Sequence, residues 1–315
     1  MNVEHLIQEI ASLGLNLYDF ALYTSEGVFT HRFQPCNNCA DSYSVAKLFV
    51  VTALGMLWDE GRIRMDDPLS LYFDIPESAD PRWRAATIEN AVTHRLGFGE
   101  GFLDIDAEDV TEYPTDDYLS MVFAHPLSCD PGTEFQYSDA AYYLLSRLIS
   151  KVSGEGLDVF LSRRLLKPLR FHEAAWSRCP QEYPIGATGL YISAADMVKL
   201  PALYMQDGLW HGQRILSKAW VDLTIERRYE LNPLTEEGSF IGKGGMYGQM
   251  AAFSKDKQIA VAWHAHQEEE GMDKLKACWT PLYKTYQKSA VQTALSFHIP
   301  VTIRPYPYHP SPVYS

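Results

Sequence analysis

Between Asp41 and Asp59 the chain carries a single charge, Lys47, set among Leu48, Phe49, Val50, Val51, Leu54, Met56, Leu57 and Trp58. The spacing predicts a helix over 44–60 with almost no polar face, and a helix that is apolar nearly all round lies inside a protein. The run is interrupted by its lysine and falls short of a membrane span. Whatever fold forms must therefore cover this helix on all sides and accommodate one ammonium within it. With 315 residues, 46% of them hydrophobic and 21% charged, the chain can bury a core of that size.

The rest of the chain supplies the cover. Val3, Leu6, Ile7, Ile10 and Leu13 recur at helical spacing, with Gly14 where a helix would stop. Strand-like runs follow over 17–23 and 28–33, joined by Ser25-Glu26-Gly27, a hairpin signal. Helical patterns then dominate over 44–60, 88–92, 116–123, 139–152, 157–165 and 194–204. Strand character returns over 247–253 and 258–263, around the polar turn Ser254-Lys255-Asp256-Lys257, and a last helix is expected over 272–287. Strands at both ends with helices between them predict an α+β fold: one antiparallel sheet assembled from both chain ends, with an all-helical domain inserted. The expected division is 1–43 and 205–299 for the sheet domain, 44–204 for the helical domain, and an extended proline- and tyrosine-rich tail over 300–315.

Chemistry centres on Ser44-Val45-Ala46-Lys47. Lys47 lies one turn past Ser44, so the two side chains share a face. Burial disfavours the ammonium, and a neutral or proton-sharing amine beside a hydroxyl is one way to make serine nucleophilic without histidine. Ser44 also sits in the first helical turn, where free N–H groups favour negative charge. A second element is the run 131–139, PGTEFQYSD, in which Tyr137 stands just before a helix start and can deliver a hydroxyl into a cleft; Ser138 or Asp139 is a competent cap. A third is Gly242-Lys243-Gly244-Gly245-Met246, expected to enter the strand that continues through Tyr247, with Lys243 offering charge to a substrate carboxylate.

In order and spacing these motifs resemble the serine β-lactamase-like family, its class C β-lactamase and D-aminopeptidase/esterase branch in particular, whose signatures are S-x-x-K, Y-x-N and K-T-G or H-x-G. TIENAVTHRLG over 87–97, TGLYISAADMVKL and DGLWHGQRIL later in the chain, and PGTEFQYSDAAYYLLSRLISKVSG extend the resemblance over about 17–264. It implies a β-lactamase/transpeptidase-like fold and an acyl-enzyme on Ser44, with Lys47 and Tyr137 sharing general-base work. It also implies an oxyanion site between the N–H groups of Ser44 and Met246, and Lys243 orienting substrate. Asp139, Gly244 and Gly245 complete the expected substrate-binding set. No cofactor is implied.

Two departures bear on the substrate. Asp139 replaces the family's usual Asn, and its charge would favour a protonated Lys47 and oppose substrate carboxylates. Lys243-Gly244-Gly245 lacks the threonine hydroxyl of K-T-G. The expectation is a cytoplasmic serine hydrolase acting on a small ester, amide or peptide. The alternatives are a non-catalytic binding, sensor or assembly protein on the same fold, and a true β-lactamase or D,D-peptidase.

With 27 Lys and Arg against 40 Asp and Glu, the chain repels phosphate backbones and anionic lipid, so neither nucleic acid nor membrane is an expected partner. The oligomeric state is left unassigned. Cys36-Asn37-Asn38-Cys39 reads as two loop cysteines, since a zinc site needs more ligands. His264 and His266, followed by Glu268, Glu269 and Glu270, read as a solvated strand end in preference to a metal site, and His94 reads as structural.

Overall fold

The computed structural model describes residues 3–236, 238–268, 275–279 and 281–282. Among the described residues the α-helices are α1 Val3–Ser12, α2 Ala46–Asp59, α3 Ile88–Val92, α4 Tyr118–Ala124, α5 Asp139–Ser153, α6 Leu157–Leu161, α7 Ala194–Met197, α8 Lys199–Met205 and α9 Lys218–Arg227. The strands are β1 Leu17–Thr24, β2 Gly27–Arg32, β3 Ala40–Asp41, β4 Ala174–Trp176, β5 Leu190–Ile192, β6 Leu209–Trp210, β7 Gln213–Arg214, β8 Asn232–Pro233, β9 Ile241–Gly244, β10 Met250–Ser254 and β11 Ile259–Ala265.

The main sheet has the order β2-β1-β11-β10-β9-β8, so strands from the two ends of the chain lie side by side. Every pairing within it is antiparallel, and β1 meets β11 with Phe20 opposite Trp263 and Leu22 opposite Val261. Alternation along β11 sorts the faces. Ile259, Val261 and Trp263 join Leu6, Ile7 and Ile10 of α1 in one core, while Ala260 and Ala262 join the larger core on the helical side. Ala251, Ala260 and Ala262 on the helical side are small, and α8 packs there against β10 and β11.

Helix α2 runs through that larger core, and every residue from Ala46 to Leu57 is buried. Its glycine has a local reason: a Cβ on Gly55 would collide with the indole ring of Trp220 from α9.

Three expectations need correction. The strand expected over 247–253 begins at Met250, because residues 245–248 form a turn, with Gly248 at a φ of 96°. The glycine motif is accordingly a separate strand, β9, antiparallel to β10, and not the start of it. The single helix expected over 194–204 is two, α7 and α8, meeting at Val198. Helix α9 and the small sheet β3-β5-β4 were not anticipated. Of the helix expected over 272–287 only fragments are described, with one 3-10 turn at Lys276–Cys278; the rest of it and the tail over 300–315 lie outside the described residues. No helix among the described residues is long and apolar enough to cross a membrane.

Candidate active site

The chain enters α2 through a short 3-10 turn, Tyr43–Val45, that carries Ser44. Tyr43 is left-handed, with φ 47°, a conformation that costs a non-glycine residue energy and is kept only where its surroundings enforce it. One such constraint is visible: the Tyr43 N–H donates to Asp41 Oδ1 at 2.8 Å.

Lys47 follows one turn later, fully buried. Its nitrogen donates to Ser44 Oγ at 3.0 Å and to the Ala187 carbonyl at 2.9 Å, and it pairs with Asp139 Oδ1 at 2.7 Å. An ammonium has three hydrogens, and here each has its own acceptor. Burial alone would lower the Lys47 pKa, but the Asp139 carboxylate, with Glu230 behind it, outweighs burial and holds the value above normal. The sequence left room for a neutral or proton-sharing amine; Asp139 at 2.7 Å and a raised pKa favour the ammonium, as the Asp139 departure had indicated.

Asp139 is the first residue of α5, and Tyr137 precedes that helix by two residues. The Tyr137 hydroxyl lies 2.8 Å from Ser44 Oγ, and Lys243 Nζ on β9 donates to that hydroxyl at 3.3 Å. Both ammonium groups also lie over its ring, Lys47 at 4.8 Å and Lys243 at 4.9 Å from the centroid. The structure therefore brings Ser44, Lys47, Tyr137, Asp139 and Lys243 into one network.

Two further residues complete that network. Glu230 Oε2 accepts from Lys243 at 2.5 Å, and Glu230 Oε1 lies 2.9 Å from His94 Nε2. The Ser138 N–H donates to His94 Nδ1 at 3.3 Å, so the ring's hydrogen is on Nε2, facing Glu230. Burial lowers the His94 pKa and keeps the ring neutral. Burial would raise the Glu230 carboxyl, yet the Lys243 ammonium and the His94 bond hold it far below the usual range. His94 also stacks on Tyr137 at 4.4 Å, so it fixes both the ring and the backbone beside it. His94 and Glu230 are left-handed, like Tyr43. His94 is thus part of the site as well as structural, with the resemblance of 87–97 as its one sequence signal; Glu230 had no signal at all.

The glycines of the third motif serve close packing. A Cβ on Gly245 would stand 2.6 Å from Gln249 Oε1 and 2.8 Å from the Ser42 carbonyl, so the end of β9 presses against the chain leading into Ser44. The Gly245 N–H bonds to the Gln249 carbonyl and the Tyr247 N–H to the Gln249 side chain. Among the described residues, the Met246 N–H between them and the Ser44 N–H meet no acceptor. Gly244 pairs with Met250 across the β9–β10 ladder.

Charge is distributed unevenly around the network. On the Lys47 side, carboxylate oxygens of Asp104, Asp106 and Asp139 lie within 4.8 Å of one another, and burial raises the pKa values of Asp104 and Asp106. Beside Tyr137 and Lys243 a cavity of about 370 Å³ is bordered by Arg95, Arg227 and Arg228.

The weaker constellations stay apart from this site. Cys36 and Cys39 are free, and burial, with Glu173 bonded to the second, pushes the Cys39 thiol up to about 11, away from the thiolate that redox or metal chemistry needs. His264 is not solvated, as the sequence had suggested, but buried and bonded through Nδ1 to Asp19 at 2.8 Å, while His266 stacks on Tyr247. Glu269 and Glu270 lie outside the described residues. The polar turn Ser254-Lys255-Asp256-Lys257, which also has S-x-x-K spacing, is closed by the Lys257 N–H donating to Ser254 Oγ.

The Beta-lactamase family model matches residues 37–277, from just before the Ser44 turn to beyond β11. The chain belongs to the Beta-lactamase family. It is 26% identical over 239 residues to penicillin-binding protein 4 of Amycolatopsis lactamdurans, covering 66% of this chain and 61% of that protein. It is 26% identical over 198 residues to 6-aminohexanoate-dimer hydrolase of Paenarthrobacter ureafaciens, covering 58% and 49% respectively. Among solved structures, the octameric penicillin-binding protein homologue from Pyrococcus abyssi shares the fold with a TM-score of 0.70 at 19% identity, over 90% of this chain and 78% of that one. The chain spans about three fifths of the length of the curated relatives it matches first, 62% and 61%. The fold and family expected from the motifs are thus those found, and the Beta-lactamase family is one of serine hydrolases.

Proposed function

We propose that the protein is a serine hydrolase that forms an acyl-enzyme on Ser44 from a small ester or amide. The observation that carries this reading is the Tyr137 oxygen 2.8 Å from Ser44 Oγ while every Lys47 hydrogen is already engaged. With Lys47 charged, the proton of Ser44 goes to Tyr137.

Ser44 Oγ attacks the substrate carbonyl carbon as its proton passes to the Tyr137 oxygen, and the hydrogen that Tyr137 held moves to the leaving oxygen or nitrogen. The carbonyl carbon's bond to the leaving group then breaks, releasing a neutral alcohol or amine and leaving an ester on Ser44. Water repeats the sequence on that ester, with Tyr137 relaying its proton back to Ser44, and frees the acid. Lys47 and Lys243 favour release of the hydrogen that Tyr137 passes on, and the unengaged N–H groups of Ser44 and Met246 are the proposed donors to the carbonyl oxygen. Glu230 and His94 hold Lys243 and Tyr137 in position.

The carboxylates of Asp104, Asp106 and Asp139 oppose a substrate carboxylate on the Lys47 side, whereas Lys243 and the arginines beside it suit an anionic end. The relative named a 6-aminohexanoate-dimer hydrolase supports a small amide as one substrate class. Treatment with a fluorophosphonate probe, followed by digestion, tests the nucleophile: a single adduct on the Ser44 peptide is expected, together with turnover of p-nitrophenyl esters that Ser44→Ala lowers by at least about four orders of magnitude. A folded protein with no Ser44 adduct would sink the proposal, and labelling without turnover would favour the binding-protein alternative.

A further inference from the structure

A cavity of about 460 Å³ lies between α4, the C-terminal half of α5 and the chain around Tyr183, and none of its lining residues belongs to the Ser44 network. It exceeds the cavity beside Tyr137 and falls within the range of small-molecule sites. Phe73 and Phe123, buried and in edge contact at 5.7 Å, give it an apolar wall.

Arg147 of α5 is the polar group fixed in that cavity. Its guanidinium carbon lies 3.5 Å from the Tyr183 ring centroid, and Nη1 donates to the Tyr143 hydroxyl at 2.9 Å. The stacked ring sets the plane of the fork, and one N–H is used. Among the described residues no carboxylate pairs with Arg147, nor with Lys151 one turn further along the same helix face. That is unexpected in a chain with 40 acidic residues against 27 basic ones. Two of the lining acids are engaged elsewhere: Asp117 caps α4 by accepting the N–H groups of Leu119 and Ser120, and Glu155 pairs with Arg163. Asp74, on the exposed rim, weighs against a polyanion.

We infer that this cavity binds a small organic monocarboxylate with an apolar body. Arg147, pre-set by Tyr183, grips the carboxylate through its remaining N–H groups, Lys151 adds charge at the mouth, and Phe73 and Phe123 cover the body. Half-buried against an aromatic ring and, among the described residues, without a carboxylate paired to it, the Arg147 guanidinium keeps N–H groups that an incoming carboxylate can take up.

Titration calorimetry of the full chain with phenylacetate, and with phenylacetamide as its uncharged counterpart, tests the inference. Saturable phenylacetate binding is expected, at least about tenfold tighter than the amide and weakened to a similar degree by Arg147→Gln. The exposed Lys151→Gln, which disturbs no packing, should weaken it severalfold, and Ser44→Ala should bind as the unaltered protein does. No saturable binding, equal affinity for the amide, or binding that both variants retain in full would overturn the inference. So would binding lost in Lys243→Gln but kept in Arg147→Gln, since that places the ligand beside Tyr137.

Discussion

Three acceptors surround the Lys47 nitrogen, as many as an ammonium has hydrogens, and in the proposed mechanism this count directs the serine proton to Tyr137. The spacing of Ser44 and Lys47 was readable because both lie on one helical turn. The partner that does most to raise the Lys47 pKa, Asp139, is distant in sequence and could be read only as a departure from a motif. Asp139→Asn separates the two accounts of Lys47. Removing one member of a buried ion pair should cost about 3–5 kcal/mol, measured by urea unfolding. With the carboxylate gone, Lys47 loses the largest influence that raises its pKa, and the value falls. If the ammonium is the working form, kcat/KM of the variant should decline as pH rises through that lowered value, while the unaltered protein shows no such limb below 10.5. Activity of the variant that climbs with pH over the same interval would identify a neutral amine as the base.

At the scale of elements, the turn from β9 to β10 positions the site as much as α2 does. A four-residue strand with two glycines, Ile241–Gly244, has too little periodicity to be read as a strand, which is why the sequence merged it with β10. Its function is steric. Gly245→Ala would place a methyl group against Gln249 and the Ser42 carbonyl, shifting the Met246 N–H relative to Ser44. A displacement of this kind should lower kcat/KM about tenfold to a hundredfold, with KM little changed, and should move the Tm by only a few degrees. Steady-state kinetics and a thermal melt check both. Wild-type kinetics in a folded Gly245→Ala protein would remove Met246 from the proposed oxyanion site. Helix α9 went unread for a different reason: its burial is confined to Trp220, Val221 and Thr224, so little apolar periodicity shows in the chain.

For the molecule as a whole, the cluster of Lys243, Glu230 and His94 ties the sheet to the helical side through buried charge, and this links stability to pH. The Glu230 carboxyl is held below its unfolded value, so its contribution is present in full above about pH 4.5 and is lost as pH falls below that. Unfolding free energies measured in urea from pH 7 to pH 3 should therefore fall more steeply for the unaltered protein than for Glu230→Gln, which starts less stable at pH 7. Parallel curves would show that Glu230 contributes nothing to the acid limb. The general architecture was legible because strand patterns at the two ends demanded a shared sheet. Glu230 was not, since a lone acid between α9 and β8 has no local partner to betray it.

That shared sheet also imposes an order of events on the ribosome. Strand β1 lies between β2 and β11, and the bond from the His264 N–H to Asp19 spans 245 positions. The hairpin of β1 and β2 emerges early, but its inner edge has no neighbour until residue 265 has left the exit tunnel. Until then that edge is an open template for any passing strand, so nascent chains stalled just short of β11 should be the ones that chaperones hold longest.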